Sequence, residues 1–261
     1  MLSFTGGLSD NCEGFLIFIN EKYEYRDNRN LLPKDMSEKI DSFIEKLKNK
    51  KIKDEVNVID VNEKKKCFIV KIENKYEDYY PEELGATFYS YVNRFNHINF
   101  VDLLADSFIE EKKRLIRFMS KFIFGLNLKS YKFSKYKTIE KQKHNKNTNF
   151  KIISENKNNL EKSYKYFESL KEGIFLVRDL VSEPPNVLNP KKYVEEIKKL
   201  SKFGLKIKIY NEKELKKLGM NALLGVGQGS TNETYLATIE WHGKKSSKDK
   251  PLAFVGKGVC F

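Results

Sequence analysis

The arrangement with the clearest chemical potential is Gly256-Lys257-Gly258, which directly follows the apolar run Leu252, Ala253, Phe254 and Val255. Four apolar residues in a row have the length and composition of a fully buried strand. Glycines on both sides of a lysine remove Cβ atoms and let backbone and ligand approach one amine. In open α/β sheets such segments lead into sites at the carboxyl ends of strands. A turn lysine in solvent is the plainer reading of the same residues, and spacing alone leaves both open.

Other chemistries find less support. Gly225-Val-Gly-Gln-Gly-Ser230 has the glycine content of a phosphate cradle. A cradle needs a helix start directly behind it, and a Walker loop needs Gly-Lys-Ser/Thr. Thr231–Tyr235 leads toward a strand instead, so a structural glycine loop that permits close packing is expected. His97, His144 and His242 lie far apart and lack ligand spacing. No Gly-x-Ser-x-Gly occurs, and no Ser-His-Asp or Cys-His arrangement can be drawn. Cys12, Cys67 and Cys260 are odd in number and widely separated. That predicts reduced thiols in a cytoplasmic compartment, not a disulfide framework or a zinc cluster.

Composition bounds the remaining classes. The 261 residues, 40% of them hydrophobic, can supply two modest cores. No run of about 18 apolar residues is present, so no membrane helix is expected. Met1 to Gly14 lacks the basic-then-apolar order of a signal peptide. The net charge of +13 predicts nonspecific attraction to polyanions. Its spread along the whole chain argues against one dedicated nucleic-acid surface.

The elements that would position Lys257 follow from periodicity. Gly14–Asn20 reads as a buried strand, and Ser37 as the cap of a helix through about Asn49, with Ile40, Phe43, Ile44 and Leu47 on one face. Asp54–Val61 and Cys67–Ile72 read as strands. Pro81 opens a helix carrying Leu84, Phe88, Tyr91, Val92 and Phe95. His97–Leu103 reads as a strand, and a helix is expected from Asp106 to Leu126. The order β-α-β-β-α-β-α indicates α/β layering. Tyr131, Phe133 and Tyr136 predict an aromatic cluster packing a helix end onto the sheet, with base stacking as the alternative. Lys141–Asn149 is polar and free of apolar residues, which marks a linker and a boundary near residue 150.

Beyond a short strand at Phe150–Ile153, Asn159–Glu183 has a long helical pattern that Pro184-Pro185 must end. Asn189-Pro190 is a capped helix start, and Gly204 a helix close. Leu205, Ile207 and Ile209 alternate with lysines as in a half-buried strand. Asn211 and Glu214 form a capping-box start for a short helix ending at Gly219. Tyr235–Trp241 reads as a strand, followed by a lysine- and serine-rich turn and the final strand. The fold class is therefore α/β in two units: an amino-terminal domain over 1–150, a connecting helix over 151–184, and an incomplete second unit over 185–261.

Three blocks in the second half bear a resemblance. Arg178-Asp-Leu-Val-Ser-Glu-Pro-Pro-Asn-Val-Leu-Asn-Pro190, Leu218-Gly-Met-Asn-Ala-Leu-Leu-Gly-Val-Gly-Gln-Gly-Ser230 and Ala253-Phe-Val-Gly-Lys-Gly-Val-Cys-Phe261 stand in the order and spacing of the leucine aminopeptidase (cytosol aminopeptidase) family. Gly125–Thr138 resembles the end of that family's amino-terminal domain. The second unit is thereby similar to the start of a metallo-aminopeptidase catalytic domain. The resemblance implies an exopeptidase that removes amino-terminal residues, leucine among the preferred ones, with two divalent ions, manganese or zinc. Paired cations clamp the substrate, lower the pKa of a bridging water and steady the oxyanion. Peptide substrates, a cytoplasmic homohexamer and no membrane association are implied for the complete enzyme.

The resemblance also implies that Lys257 is a metal ligand, which requires the neutral amine and hence a depressed pKa. The family's carboxylate ligands, its second lysine and its arginine fall after the position of Phe261. No catalytic residue is therefore assigned within these 261 residues, and two metal ions are not expected to be held by them alone. The expectation is a family member inactive in this form. The alternatives are a basic α/β module that binds nucleic acid weakly, or an inert gene remnant.

Overall fold

The computed structural model describes residues 2–9, 11–27, 29–50, 54–95, 97–108, 111–138, 148–243 and 250–260. The chain divides into two compact units, Met1–Leu176 and Val177–Phe261.

Unit 1 is a six-stranded sheet in the order β1-β6-β5-β2-β4-β3. Its strands are β1 (Leu2–Thr5), β2 (Gly14–Ile19), β3 (Val56–Asp60), β4 (Lys66–Lys71), β5 (Phe100–Leu104) and β6 (Asn149–Ile153). All neighbours pair in parallel except β3, which closes one edge antiparallel to β4. Helices α1 (Lys34–Lys50), α2 (Tyr80–Val92) and α3 (Lys112–Ser130) cover the sheet, and α4 (Lys157–Ser182) begins in this unit.

Strand β2 shows why the sheet needs two covering layers. All six of its residues are buried. Side chains alternate across a strand, so Leu16 and Phe18 enter one core with α2, α3 and the start of α4. Phe15, Ile17 and Ile19 enter the other, with Ile40 and Ile44 of α1. Phe18 makes edge-on ring contacts with Phe118 at 5.8 Å and Phe122 at 5.3 Å between centroids.

Helices α2 and α3 cross at two glycines. A Cβ on Gly85 would lie 1.9 Å from the Phe122 carbonyl oxygen, and one on Gly125 would lie 1.8 Å from that of Glu82. Backbone atoms cannot swing aside as side chains do, so both positions require glycine for this approach.

Several elements differ from the sequence reading. Strand β1 carries too short a pattern to be recognised, yet it pairs with β6 along its whole length. Helix α1 starts at Lys34, because the Pro33 carbonyl accepts from both Met36 and Ser37; Ser37 is therefore inside the helix and does not cap it. Strand β5 starts at Phe100 and not at His97, since the Glu13 carboxylate takes the Asn99 and Phe100 N–H groups. Residues 105–107 form a 3-10 turn, and α3 begins only at Lys112. The Asp106 carboxylate is engaged instead by the Ser154 hydroxyl and the Glu155 N–H. Residues 139–147, which hold most of the expected linker, lie outside the described residues.

Unit 2 contains α5 (Pro190–Lys199), a 3-10 turn, β7 (Lys206–Tyr210), α6 (Glu212–Lys217), α7 (Asn221–Gly227) and β8 (Leu236–Glu240). The Asn189 side chain accepts from Lys192 N–H at 3.0 Å, and Pro190 opens α5. Gly204 closes that region at φ 81°. Asn211 and Glu214 form the reciprocal capping box, and Gly219 follows α6 at φ 70°. Strands β7 and β8 pair antiparallel as a two-stranded ribbon.

Replacing Gly85 or Gly125 by Ala is expected to lower stability by about 1–3 kcal/mol, because the helices must separate. Gly173, in α4 with nothing within 4 Å of an added Cβ, provides the control. Gly173→Ala should raise stability by roughly 0.5–1 kcal/mol. Urea unfolding of the three variants measures both signs.

Candidate functional site

The segment expected to carry the chemistry is exposed. Residues 250–260 form no helix or strand, and Phe254 and Val255 are 89% and 99% exposed. The expected final strand over Leu252–Val255 is thus not formed. A buried strand needs a neighbouring ladder for its N–H and C=O groups and a layer over its side chains. Among the described residues neither is supplied to this segment.

Lys257 is likewise exposed. The glycines beside it play unequal parts. Gly256 has nothing within 4 Å of a Cβ position, whereas a Cβ on Gly258 would meet Cε1 of Tyr193 at 2.8 Å. Gly258 is therefore small for the sake of a ring on α5, and no carboxylate partner of Lys257 appears among the described residues.

The glycine loop resolves into packing. Gly225 and Gly227 end α7, a short helix absent from the sequence reading, so the loop follows a helix and does not precede one. A Cβ on Gly227 would sit 1.9 Å from Oγ1 of Thr234. Thr234 N–H donates to Glu212 at 2.8 Å, which draws the chain back toward α6. Close packing accounts for Gly227, whereas Gly225 and Gly229 have nothing within 4 Å of a Cβ position, so the expected close packing holds at one of the three.

Among the described residues, no group of three His, Cys, Asp or Glu side chains could hold a metal ion. His242 lies 3.3 Å from Glu240, and His242 with Lys206 holds the Glu240 carboxyl below its usual range. His144 lies outside the described residues. A two-metal centre needs several donor side chains, and one lysine amine does not supply them.

Unit 1 offers a crevice at the carboxyl ends of its strands, beside β2, where the strand order reverses. Arg29 lies 3.3 Å from Asp106 and 3.7 Å from Glu155, and donates to the Gly6 carbonyl at 2.5 Å. These contacts close the crevice to about 30 Å³. The cluster ties together the segments after β1, β2, β5 and β6, and its own charges satisfy one another. The aromatic residues at 131–136 also pack within the protein: Tyr131 lies 5.1 Å from Phe175 and Phe133 5.9 Å from Tyr136.

The thiols complete the inventory. All three cysteines are free. Burial pushes the Cys12 thiol up to about 12 and raises Cys67 well above its ordinary value. Neither is a candidate nucleophile, because the thiolate is the reactive form. No helix among the described residues is long and apolar enough to cross a membrane.

The α/β fold is similar to that of a solved leucine aminopeptidase. A tomato leucine aminopeptidase structure superposes with a TM-score of 0.70 at 18% identity, covering 91% of this chain and 50% of that one. Residues 175–261 match the cytosol aminopeptidase family, catalytic domain. Probable cytosol aminopeptidases from Agrobacterium fabrum and Phytoplasma mali are 47% and 43% identical over 143 residues each. Each of these matches covers 54% of this chain and 29% of the relative. The second unit is thus similar to the opening of the cytosol aminopeptidase catalytic domain, and the matched stretch is under a third of each relative's own length.

In the folded chain only Cys260 should react quickly with Ellman's reagent, and all three thiols should react after denaturation. Fast reaction of Cys12 or Cys67 in the native chain would contradict the burial described.

Proposed function

We propose that the chain carries the amino-terminal domain and the opening of the catalytic domain of a two-metal aminopeptidase. The complete enzyme removes amino-terminal residues from peptides, with leucine among the preferred ones. The observation that carries this reading is the match of residues 175–261 to the family's catalytic domain. The likeness of fold to a leucine aminopeptidase supports it. Manganese or zinc, a cytoplasmic location and a homohexameric assembly belong to the same proposal.

Within it, Lys257 supplies one ligand to the metal pair. Its present exposure is incompatible with that role, so further polypeptide must bury the amine before it can lose its proton. The domain limits 1–150, 151–184 and 185–261 are kept as a functional division: scaffold, connection and catalytic opening. By itself the 261-residue chain holds no metal pair and hydrolyses nothing.

The purified chain, assayed on leucine amides with manganese or zinc, is expected to show no hydrolysis above the metal-only blank. A chimera tests the positive half. The region of the Phytoplasma mali relative carboxyl-terminal to its matched stretch would be fused after Cys260. That chimera should hydrolyse leucine amides, and Lys257→Ala in it should lower kcat/KM by about a hundredfold or more. Metal-dependent activity of the chain alone, or an inactive but folded chimera, would refute the proposal.

A further inference from the structure

Two glycines flank Lys257, and backbone conformation explains neither. The glycines with positive φ are Gly204 and Gly219, so Gly256 and Gly258 lie outside the left-handed region. Space separates the two. Gly256 has nothing within 4 Å of a Cβ position, whereas a Cβ on Gly258 would lie 2.8 Å from Cε1 and 3.4 Å from Cδ1 of Tyr193. One edge of the Tyr193 ring thus rests where a Gly258 side chain would be. Any residue with a Cβ at this position would have to push the ring aside.

The ring is carried by a firmly anchored turn of helix. Tyr193 lies in the first turn of α5, whose start is fixed by the Asn189 side chain and by Pro190. Its N–H donates to the Asn189 carbonyl at 2.9 Å, and the next residue, Val194, is buried. On the other side of the contact the chain carries two glycines within three residues, and glycine has the widest backbone freedom. A fixed ring against a free turn makes the ring the element that decides the turn's direction. We infer that Tyr193 is a positioning residue. By packing on Gly258 it sets the path of the turn at 256–258, and hence the direction in which the Lys257 amine leaves the chain. The purpose of this placement rests on the peptidase reading above, since an amine that acts in a site must be held to within about 0.5 Å. The contact itself lies wholly within unit 2.

Proton NMR of the full 261-residue chain reads the contact. A Gly258 Hα proton should be shifted upfield by the Tyr193 ring and should show a nuclear Overhauser contact to its Hε protons. Tyr193→Phe should keep both signatures, because the ring stays, and Tyr193→Ala should lose both. Trypsin cleavage after Lys257 gives a second readout, taken relative to the urea-unfolded chain to remove the protease's sequence preference. It should be roughly three- to tenfold faster in Tyr193→Ala and unchanged in Tyr193→Phe. Gly258→Ala breaks the contact from the other side without touching α5, and should speed cleavage as Tyr193→Ala does. Gly256→Ala, with open space at its Cβ, is the control and should change neither readout. Absence of the ring shift in the parent chain overturns the inference. So does cleavage in Tyr193→Ala or Gly258→Ala no faster than in the parent.

The fused chimera described above carries the same question to turnover. There Tyr193→Ala should lower kcat about tenfold with KM little changed, because the amine is misplaced while the rest of the site is kept. Tyr193→Phe should restore the rate. A Tyr193→Ala chimera as active as its parent overturns the inference. An inactive chimera with the Gly258 ring shift intact removes the proposed function and leaves the placement of Lys257 by Tyr193 standing; an active chimera without the ring shift does the reverse.

Discussion

A sheet holds its strands in place only when its apolar faces are covered, and the two units of this chain differ in how far that condition is met. In unit 1, β2 is buried on both faces, with α2 and α3 on one side and α1 on the other. Two glycines let α2 and α3 approach to backbone contact, which seats Phe118 and Phe122 against Phe18. In unit 2 the ribbon β7–β8 has a half-exposed apolar face, and the segment after it stands in solvent.

That difference decides the chemistry. Burial is the lever that turns a lysine into a metal ligand, because desolvation penalises the ammonium form. Lys257 lies where burial is absent, and the acidic side chains that would complete a metal site do not gather around it. The ion pairs of Arg29 with Asp106 and Glu155 serve unit 1 in another way: they tie the carboxyl-end segments of its strands together. Unit 1 thus has both sheet faces covered, whereas the segment around Lys257 in unit 2 is exposed.

Local signals were read well from the sequence. The caps at Asn189 and Asn211, the capping-box Glu214 and the left-handed glycines 204 and 219 each depend on neighbours a few residues away. Features set by distant partners were not legible. The start of β5 is fixed by Glu13, and the glycine at 85 by the Phe122 carbonyl. β1 is only four residues long, and its place in the sheet comes from β6. The final strand fails for the same reason in reverse: Leu252–Val255 has strand composition but no ladder to join. Lys257 could be singled out by its glycines, yet the metal-ligand role expected of it rests on the resemblance of three blocks, not on spacing.

Native-state hydrogen exchange of the 261-residue chain tests the contrast between the units most directly. Amides of β2, β4 and β5 should be strongly protected, exchanging only through global unfolding of unit 1. Amides of β7, β8 and residues 252–260 should exchange orders of magnitude faster. Protection of β7, β8 and 252–260 equal to that of β2 would show that unit 2 has a complete core of its own, and the account would fail.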